Sequence, residues 1–368
     1  MGERRPLADR LPTFPWDRLA PYKRTAAAHA GGLVDLSVGT PVDPVPATLQ
    51  RALTDAANSP GYPQTWGTPE LRAAIEGWLS RRHGVDVAEG AVLPTIGSKE
   101  TVAWLPTLLG LGKGDTVVHP ELAYPTYDVG VRLAGADPVA SDGLASLGPA
   151  RVSLVWVNSP SNPTGRVLGV DHLRKVVQWA RERGAIVASD ECYLDLGWDG
   201  TEPVSILHPD VCGGSHENLL ALHSLSKRSN LAGYRAAFLT GDPVLVRELL
   251  EVRKHSGMIV PAPVQAAMKA ALDDDAHAEE QKERYRARRT RLRAAFEGAG
   301  WKVEHSEAGL YLWASHPDLD AWGSVEYLAE RGIIVAPGDF YGRAGAGHVR
   351  VAFTATDERV EEAAARLA

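Results

Sequence analysis

Four short polar segments of this 368-residue chain carry the side chains best suited to chemistry, and each follows a run of apolar residues. The segments are residues 97–100, 158–165, 190–193 and 224–227. The apolar runs are typical of buried parallel β-strands, and ligands of an open α/β sheet bind beyond the carboxyl ends of such strands. We therefore expect the four segments to converge on one crevice.

Lys227 is the candidate for covalent chemistry, because a lysine amine in such a crevice can bond to an aldehyde as an imine and later move a proton. A pyridine ring bound there is an electron sink only while its nitrogen is protonated, and Asp190 is suited to face that nitrogen. Asn162 and Tyr193 can donate to a ring oxygen, and Tyr124 can cover one ring face. Each residue alone has a simpler role as a cap, turn or surface charge, but the combination favours one cofactor site.

A phosphate group on the same ligand would need dispersed hydrogen-bond donors and positive charge. The backbone N–H groups of Ser98 and Lys99, which follow Gly97 at a predicted helix start, provide the first. Ser224 and Arg235 can add hydroxyl and guanidinium contacts. The chain has no GxGxxG or GxxxxGK[ST] motif that would indicate a nucleotide instead.

The elements that must position these residues follow an alternation of apolar runs and helical stretches, which predicts an α/β fold with a mostly parallel sheet. We expect strands at residues 92–96, 116–119, 152–157, 185–189, 219–223 and 236–240. Predicted helices between them include residues 99–109, 171–183 and 244–255.

The composition changes after Ala276 to a charged helix at residues 279–297, which indicates a second, smaller domain. Its predicted strands are residues 302–304, 310–313, 333–335 and 348–353, with a last helix after Thr356. We predict three parts: residues 1–40 as an N-terminal arm and part of the small domain, 41–275 as the large cofactor-binding domain, and 276–368 as the C-terminal small domain.

Composition excludes several other classes of protein. The formal charge of −7 is spread along the chain without a basic stripe, so nucleic acid is not expected as a partner. The two cysteines, Cys192 and Cys212, form no metal-binding motif, and we expect no metal site. No apolar run reaches the length of a membrane helix, and residues 1–16 lack the apolar core of a secretory signal. We expect a cytoplasmic protein without a membrane partner.

Several motifs resemble those of one family, in that family's order. Ser-Leu-Ser-Lys at 224–227, followed by Leu-Ala-Gly-Tyr-Arg at 231–235, resembles the lysine signature of fold-type I class I and II aminotransferases. Asn-Pro-Thr-Gly at 162–165, Asp-Glu-Cys-Tyr at 190–193 and His-Val-Arg at 348–350 resemble its other motifs. The resemblance covers nearly the whole chain.

The resemblance implies an aspartate aminotransferase-like fold, with a mostly parallel mixed sheet in the large domain and a smaller α+β domain. It also implies a transaminase that uses pyridoxal 5'-phosphate, which Lys227 holds as a Schiff base. Asp190 and Tyr193 would be the other catalytic residues. The substrates would be amino acids and 2-oxo acids.

The same resemblance assigns residues to substrate and subunit contacts. Arg350 would bind the substrate α-carboxylate through its planar guanidinium, with Asn162 and the backbone of Gly39 beside the substrate. Tyr62 would reach the cofactor phosphate of a neighbouring subunit, which implies a homodimer with shared active sites.

Residues 11–17, 35–44 and 97–100 further resemble actinobacterial succinyldiaminopimelate transaminases of lysine biosynthesis. That resemblance implies N-succinyl-LL-2,6-diaminopimelate and 2-oxoglutarate as substrates, and a basic residue for the distal carboxylates. Lys23, Arg24 and Arg343 are the candidates.

Other reactions remain open from the sequence, because the cofactor performs chemistry that many enzymes share. The alternatives are an aspartate, aromatic or LL-diaminopimelate aminotransferase, or a carbon-sulfur lyase. A ligand sensor of transcription would need a DNA-binding domain, for which the segment before Gly39 is too short.

Overall fold

A computed structural model of the chain describes residues 6–148 and 151–368, so the first five residues of the predicted arm lie outside it. The strands of the described residues are β1 Val34–Asp35, β2 Val92–Ile96, β3 Thr116–His119, β4 Asp137–Ala140, β5 Val152–Asn158, β6 Ile186–Asp190, β7 Leu219–Ser224, β8 Ala236–Gly241, β9 Lys302–Glu304, β10 Tyr311–Ser315, β11 Ile333–Ile334, β12 Ala336–Pro337 and β13 His348–Ala352.

Helices separate most of these strands. The α-helices of the described residues are α1 Ala20–Ala27, α2 Ala47–Asp55, α3 Pro69–His83, α4 Ser98–Leu108, α5 Thr126–Ala134, α6 Val170–Arg181, α7 Pro209–Cys212, α8 Leu225–Arg228, α9 Pro243–Ser256, α10 Ala262–Asp273, α11 Ala276–Gly298, α12 Ala321–Glu330 and α13 Asp357–Leu367. Short 3₁₀ helices lie at Leu7–Arg10, Pro15–Leu19, Leu144–Leu147, Ala232–Tyr234, Gly338–Tyr341 and Arg343–Gly345.

The predicted α/β fold is confirmed by a seven-stranded sheet with the order β2-β8-β7-β6-β5-β3-β4. Strand β8 is antiparallel to both of its neighbours, whereas the pairs from β7 to β4 are parallel. The six strands predicted for this sheet are confirmed, each within one residue of its predicted ends.

Helices cover both faces of the large sheet, which explains why its strands are apolar at nearly every position. Along β5, Leu154 and Trp156 pack into one core cluster, and Val155 and Val157 pack into another on the opposite face. The alternation has the period of two that a strand imposes. Because both faces are buried, the sheet presents its strand ends rather than a face to a ligand.

A smaller sheet follows α11, with the order β12-β13-β10-β9 and antiparallel pairing throughout. The strand predicted at residues 333–335 is confirmed as β11 to within one residue, but β11 lies outside this sheet, and the separate strand β12 was not predicted. β11 pairs in parallel with β1 near the N-terminus, and β12 pairs with β13. The N-terminal segment is thereby tied to the C-terminal part. The predicted boundaries after residues 40 and 275 stay a prediction.

The sequence prediction missed β4, the edge strand of the large sheet. Its residues are half-buried or exposed, and Pro138 lies within it, so no apolar run indicates a strand.

None of the helices in the described residues is both long enough and apolar enough to span a bilayer.

Candidate active site

The carboxyl ends of six of the seven strands, all except β8, lie at one edge of the large sheet. Asn158, at the end of β5, is in register with Asp190 at the end of β6. Because β8 is antiparallel to both β2 and β7, its first residue Ala236 lies beside Ile96 at the end of β2. The same reversal places Arg235, which directly precedes β8, at this edge. The antiparallel strand therefore brings a cation to the carboxyl ends of its neighbours.

A cavity of about 770 Å³ opens at this edge. Ten of the residues predicted from the sequence line it: Gly39, Ser98, Lys99, Tyr124, Asn162, Asp190, Tyr193, Lys227, Arg235 and Arg350. Leu11, Phe14 and Trp16 from the N-terminal segment form part of its wall. The predicted convergence of distant polar segments on one crevice is therefore present in the structure.

Three of the predicted cofactor-site residues do not line the cavity. The Ser224 hydroxyl accepts a hydrogen bond from the Ser226 backbone N–H and so caps α8, and Ser226 lies on the cavity wall instead. Gly97 packs behind Arg235. The Tyr62 side chain is 100% exposed.

Lys227 lies on the single-turn helix α8, which neighbouring side chains hold in place. The next residue, Arg228, is buried and forms ion pairs with Asp195 and Asp275, each at 2.7 Å. The Lys227 Nζ lies 5.7 Å from the centre of the Tyr193 ring, and no described residue accepts a hydrogen bond from it. The amine is thus half-buried on the cavity wall and free of an anionic partner there.

Asp190 is a buried carboxylate whose orientation is fixed by hydrogen bonds. Its Oδ2 accepts from the Tyr127 hydroxyl at 2.9 Å, and its Oδ1 accepts from the Cys192 backbone N–H at 3.2 Å. The Asn158 side chain donates to the Asp190 carbonyl and accepts from the Asn162 backbone N–H. The carboxylate thus faces the cavity from a rigid strand end.

Tyrosine hydroxyls on the cavity wall are hydrogen-bond donors at neutral pH. Burial raises the pKa of Tyr124 to about 12, and burial with the neighbouring Tyr311 raises the pKa of Tyr193 well above its ordinary value. The Tyr193 and Tyr311 hydroxyl oxygens are 3.0 Å apart. Burial also raises the pKa of the Cys192 thiol, which argues against a nucleophilic role for it.

The start of α4 forms a cradle for an anion. Ser98 and Lys99 are in its first turn, where backbone N–H groups have no partner inside the helix. Gly97 has φ +81°, and a Cβ there would lie 2.1 Å from Nη2 of Arg235. Only a glycine therefore lets the guanidinium approach the helix start this closely. The Arg235 Nη1 is held by the carbonyl of Ala232 at 2.7 Å.

Arg350 is a buried residue of the cavity wall, with 3% of its surface exposed. It donates from Nη1 to the Asn162 side-chain oxygen at 2.8 Å and from Nη2 to the Ser37 carbonyl at 2.7 Å. Its guanidinium stacks 3.9 Å from the Tyr311 ring centre. The buried Nε has no partner among the described residues, so a donor remains for an anionic ligand.

Sequence reasoning missed Tyr127, Asn158 and Tyr311. The sequence pattern around Tyr311 indicates a strand residue buried in the core. The Tyr127 hydroxyl donates a hydrogen bond to Asp190, which is 63 residues away in the sequence. The only available signal was for Asn158, which begins a polar segment that the prediction already contained. Of the three basic candidates for distal carboxylates, Lys23 lines the cavity, whereas Arg24 and Arg343 do not.

The side chains at this edge fit pyridoxal phosphate. One cavity is lined by a fixed carboxylate for the ring nitrogen, an unpaired lysine amine, a phosphate cradle and tyrosine donors. A Cβ at Gly97 would occupy the space of the cradle arginine. No cluster of metal-binding side chains was found among the described residues.

The class I and II aminotransferase family model matches residues 32–367, and the chain belongs to that family. The enzyme is a transaminase that depends on pyridoxal 5'-phosphate and acts on amino acids and 2-oxo acids.

Two curated relatives and a solved structure are closely similar. The chain is 63% identical to a probable aminotransferase of Mycobacterium tuberculosis, covering 97% of this chain and 85% of that protein. It is 60% identical to the 4-dedimethylamino-4-oxo-anhydrotetracycline transaminase of Streptomyces rimosus, covering 97% and 99%. The structure of a probable N-succinyldiaminopimelate aminotransferase from Thermus thermophilus superposes with a TM-score of 0.86 at 30% identity, covering 96% and 99%.

Proposed function

We propose that the chain is an N-succinyl-LL-2,6-diaminopimelate:2-oxoglutarate transaminase of lysine and diaminopimelate biosynthesis. The observation that carries the proposal is the charge of the cavity wall, which has five cationic side chains and one carboxylate. The cations are Lys23, Lys99, Lys227, Arg235 and Arg350, and the carboxylate is Asp190. A substrate with several carboxylates complements such a wall.

Four of these six charged residues bind the cofactor or the substrate α-carboxylate in this proposal. Lys227 binds the cofactor and moves the proton at the substrate Cα, and Asp190 keeps the proton on the ring nitrogen. Arg235 and the start of α4 bind the phosphate, and Arg350 binds the α-carboxylate. When bound, pyridoxal phosphate supplies the electron sink for the reaction.

The remaining predicted site residues complete the assignment. Tyr193 and Asn162 donate to the ring oxygen, Tyr124 covers the ring, and Gly39 lies beside the substrate. Gly97 leaves the space that Arg235 occupies at the phosphate cradle. Ser224 acts indirectly in this assignment, by capping the helix that carries Lys227.

We also propose a homodimer in which Tyr62 reaches the partner's cofactor phosphate. The fully exposed Tyr62 side chain supports this, because a large aromatic residue without contacts in its own chain is available to a second one. Cys192 and Cys212 are both buried and unpaired, which supports a reducing, cytoplasmic location.

The covalent role of Lys227 is tested by borohydride reduction of the purified enzyme followed by peptide mass spectrometry. The reduced cofactor should be attached at Lys227, and Lys227→Ala should lose turnover while binding some cofactor non-covalently. The matched control is Lys269→Ala, an exposed lysine on α10, which should keep wild-type turnover. Wild-type turnover of Lys227→Ala would refute the role.

Substrate is tested separately by following the cofactor's absorbance with N-succinyl-LL-diaminopimelate and with glutamate. Both should convert the cofactor to its aminated form, and 2-oxoglutarate should reverse the change. A rate with N-succinyl-LL-diaminopimelate no faster than with alanine would exclude this substrate while leaving the transaminase class intact.

A second candidate is amination of a polycyclic 4-oxo compound, as the name of the Streptomyces rimosus relative describes for that protein. The 60% identity over nearly the whole chain favours it, and so do the apolar residues Leu11, Phe14 and Trp16 on the cavity wall. Incubation of the aminated enzyme with 4-dedimethylamino-4-oxo-anhydrotetracycline decides between the two. Faster reaction than with 2-oxoglutarate would favour this candidate.

A further inference from the structure

Lys23 is a cavity residue that the cofactor site does not use. It lies on α1, in the N-terminal part of the chain, whereas the other cations of the cavity wall lie on α4, α8 and β13 or directly before β8. Its side chain is 38% exposed, and its Nζ donates to Asp35 Oδ2 at 2.9 Å. An ammonium has three donors, and this is its one hydrogen bond within the described residues.

Asp35 is held firmly enough to fix the position of that ammonium. Its Oδ1 accepts from both the backbone N–H and the hydroxyl of Ser37, at 2.9 and 2.5 Å. Burial raises the pKa of Asp35, but the hydrogen bonds from Ser37 and Lys23 outweigh burial and leave the pKa below its ordinary value. The carboxylate is therefore ionised at neutral pH.

The same short segment connects Lys23 to Arg350. The Ser37 carbonyl accepts from Nη2 of Arg350 at 2.7 Å, so residues 35–37 contact both cations. Gly39, two residues further on, lies against Tyr311, where a Cβ would be 2.4 Å from the hydroxyl. A rigid stretch thus fixes two cations at one wall of the cavity.

We propose that Lys23 is a specificity-determining residue that binds a second acidic group of the substrate, while Arg350 binds the α-carboxylate. The inference rests on the proposed function for the reaction and adds the residue that selects acidic substrates. Asp35 offsets one of the positive charges, but its oxygens are occupied by Ser37 and Lys23, and two Lys23 donors remain.

A matched pair of amino acids tests the role of Lys23. 2-Aminopimelate and 2-aminoheptanoate have the same chain length and differ only in the terminal carboxylate. For Lys23→Met, KM for 2-aminopimelate should rise about tenfold, as expected for loss of one partly exposed, charge-assisted hydrogen bond. The values for 2-aminoheptanoate and kcat for both should stay unchanged. Lys23→Arg keeps the charge and should restore most of the discrimination.

Arg24→Met is the control, because Arg24 is adjacent and exposed but does not line the cavity. It should leave both KM values as in the wild type. An equal change for the two amino acids in Lys23→Met, or the same selective change in Arg24→Met, would overturn the inference. If the wild-type enzyme accepts an amino group from neither compound and not from glutamate, the proposed function is overturned instead. The two failures are therefore distinguishable.

Discussion

At the residue scale, burial perturbs a carboxyl group that does not line the cavity, that of Glu191, the neighbour of Asp190. Its Oε1 accepts from the Ile206 backbone N–H, and its Oε2 lies 3.6 Å from Nε2 of His223. Burial raises the pKa of Glu191 to about 7 and lowers the pKa of His223 to about 3. Despite its geometry, the contact is therefore not an ion pair at neutral pH.

This burial predicts a pH dependence of stability. The pKa of Glu191 in the folded state is above its ordinary value of 4.5, so the folded protein retains this proton, and the contribution of Glu191 to the free energy of unfolding is lost as the pH rises from about 4.5 to 7. The lowered pKa of His223 acts in the opposite direction, so a variant of Glu191 is needed to separate the two contributions. Glu191→Gln mimics the protonated form. The free energy of unfolding of this variant, measured in urea, should exceed that of the wild type by an amount that grows by about 2–3 kcal/mol from pH 5 to pH 8. Exposed Glu248→Gln is the control, and an equal gain there would contradict the assignment.

The sequence predicted the residues that follow apolar runs, because a strand end marks them locally. It did not predict Tyr127 or Tyr311, whose importance depends on contacts with Asp190 and Tyr193 that only the folded chain creates. Arg228, the residue after Lys227, is buried by ion pairs with its two aspartates, which no local pattern indicates. Partners far apart in sequence decided all three cases.

At the element scale, the turn between β2 and α4 depends on Gly97. Gly97→Ala places a Cβ against Arg235 and strains a positive φ, so the affinity for pyridoxal phosphate should fall about tenfold or more. Cofactor titration followed by absorbance measures it.

Gly110, just beyond α4, is the matched control, since its φ is +73° and a Cβ there meets nothing within 4 Å. Gly110→Ala should lose a similar stability of about 1 kcal/mol without losing cofactor affinity. Equal cofactor affinities in the two variants would remove the proposed role of the turn.

Buried strands were predicted to within a residue because both of their faces are covered and their apolar runs are continuous. The edge strand β4 and the division between β11 and β12 were not predicted, because half-exposed or very short strands are defined by the strands with which they pair. The antiparallel direction of β8, which places Arg235, has no sequence signal either.

At the scale of the whole molecule, the proposed exchange of Tyr62 between subunits predicts complementation. The Lys227→Ala homodimer should lose turnover, and the Tyr62→Ala homodimer should lose turnover when the cofactor concentration is limiting. After mixing and random exchange, half of the dimers are mixed, and each has one site with both residues intact. About a quarter of the wild-type rate should then return at limiting cofactor.

Activity no higher than the average of the two separate variants would place Tyr62 in its own chain's site or in neither. A monomeric mass for the active enzyme in sedimentation would contradict the homodimer itself. Lys227→Ala mixed with Lys269→Ala controls for the exchange procedure, because this pair should recover half of the wild-type rate whichever chain supplies Tyr62.

The N-terminal wall of the cavity has a practical consequence for biochemical work on this enzyme. Leu11, Phe14 and Trp16 border the substrate space, and Trp16 packs on Phe340 with ring centres 5.4 Å apart. A purification tag fused shortly before Leu11 would therefore lie close to the substrate space. Kinetic constants are better measured with the tag placed after α13, or with the N-terminal tag cleaved, so that fusion residues do not compete with large acceptors.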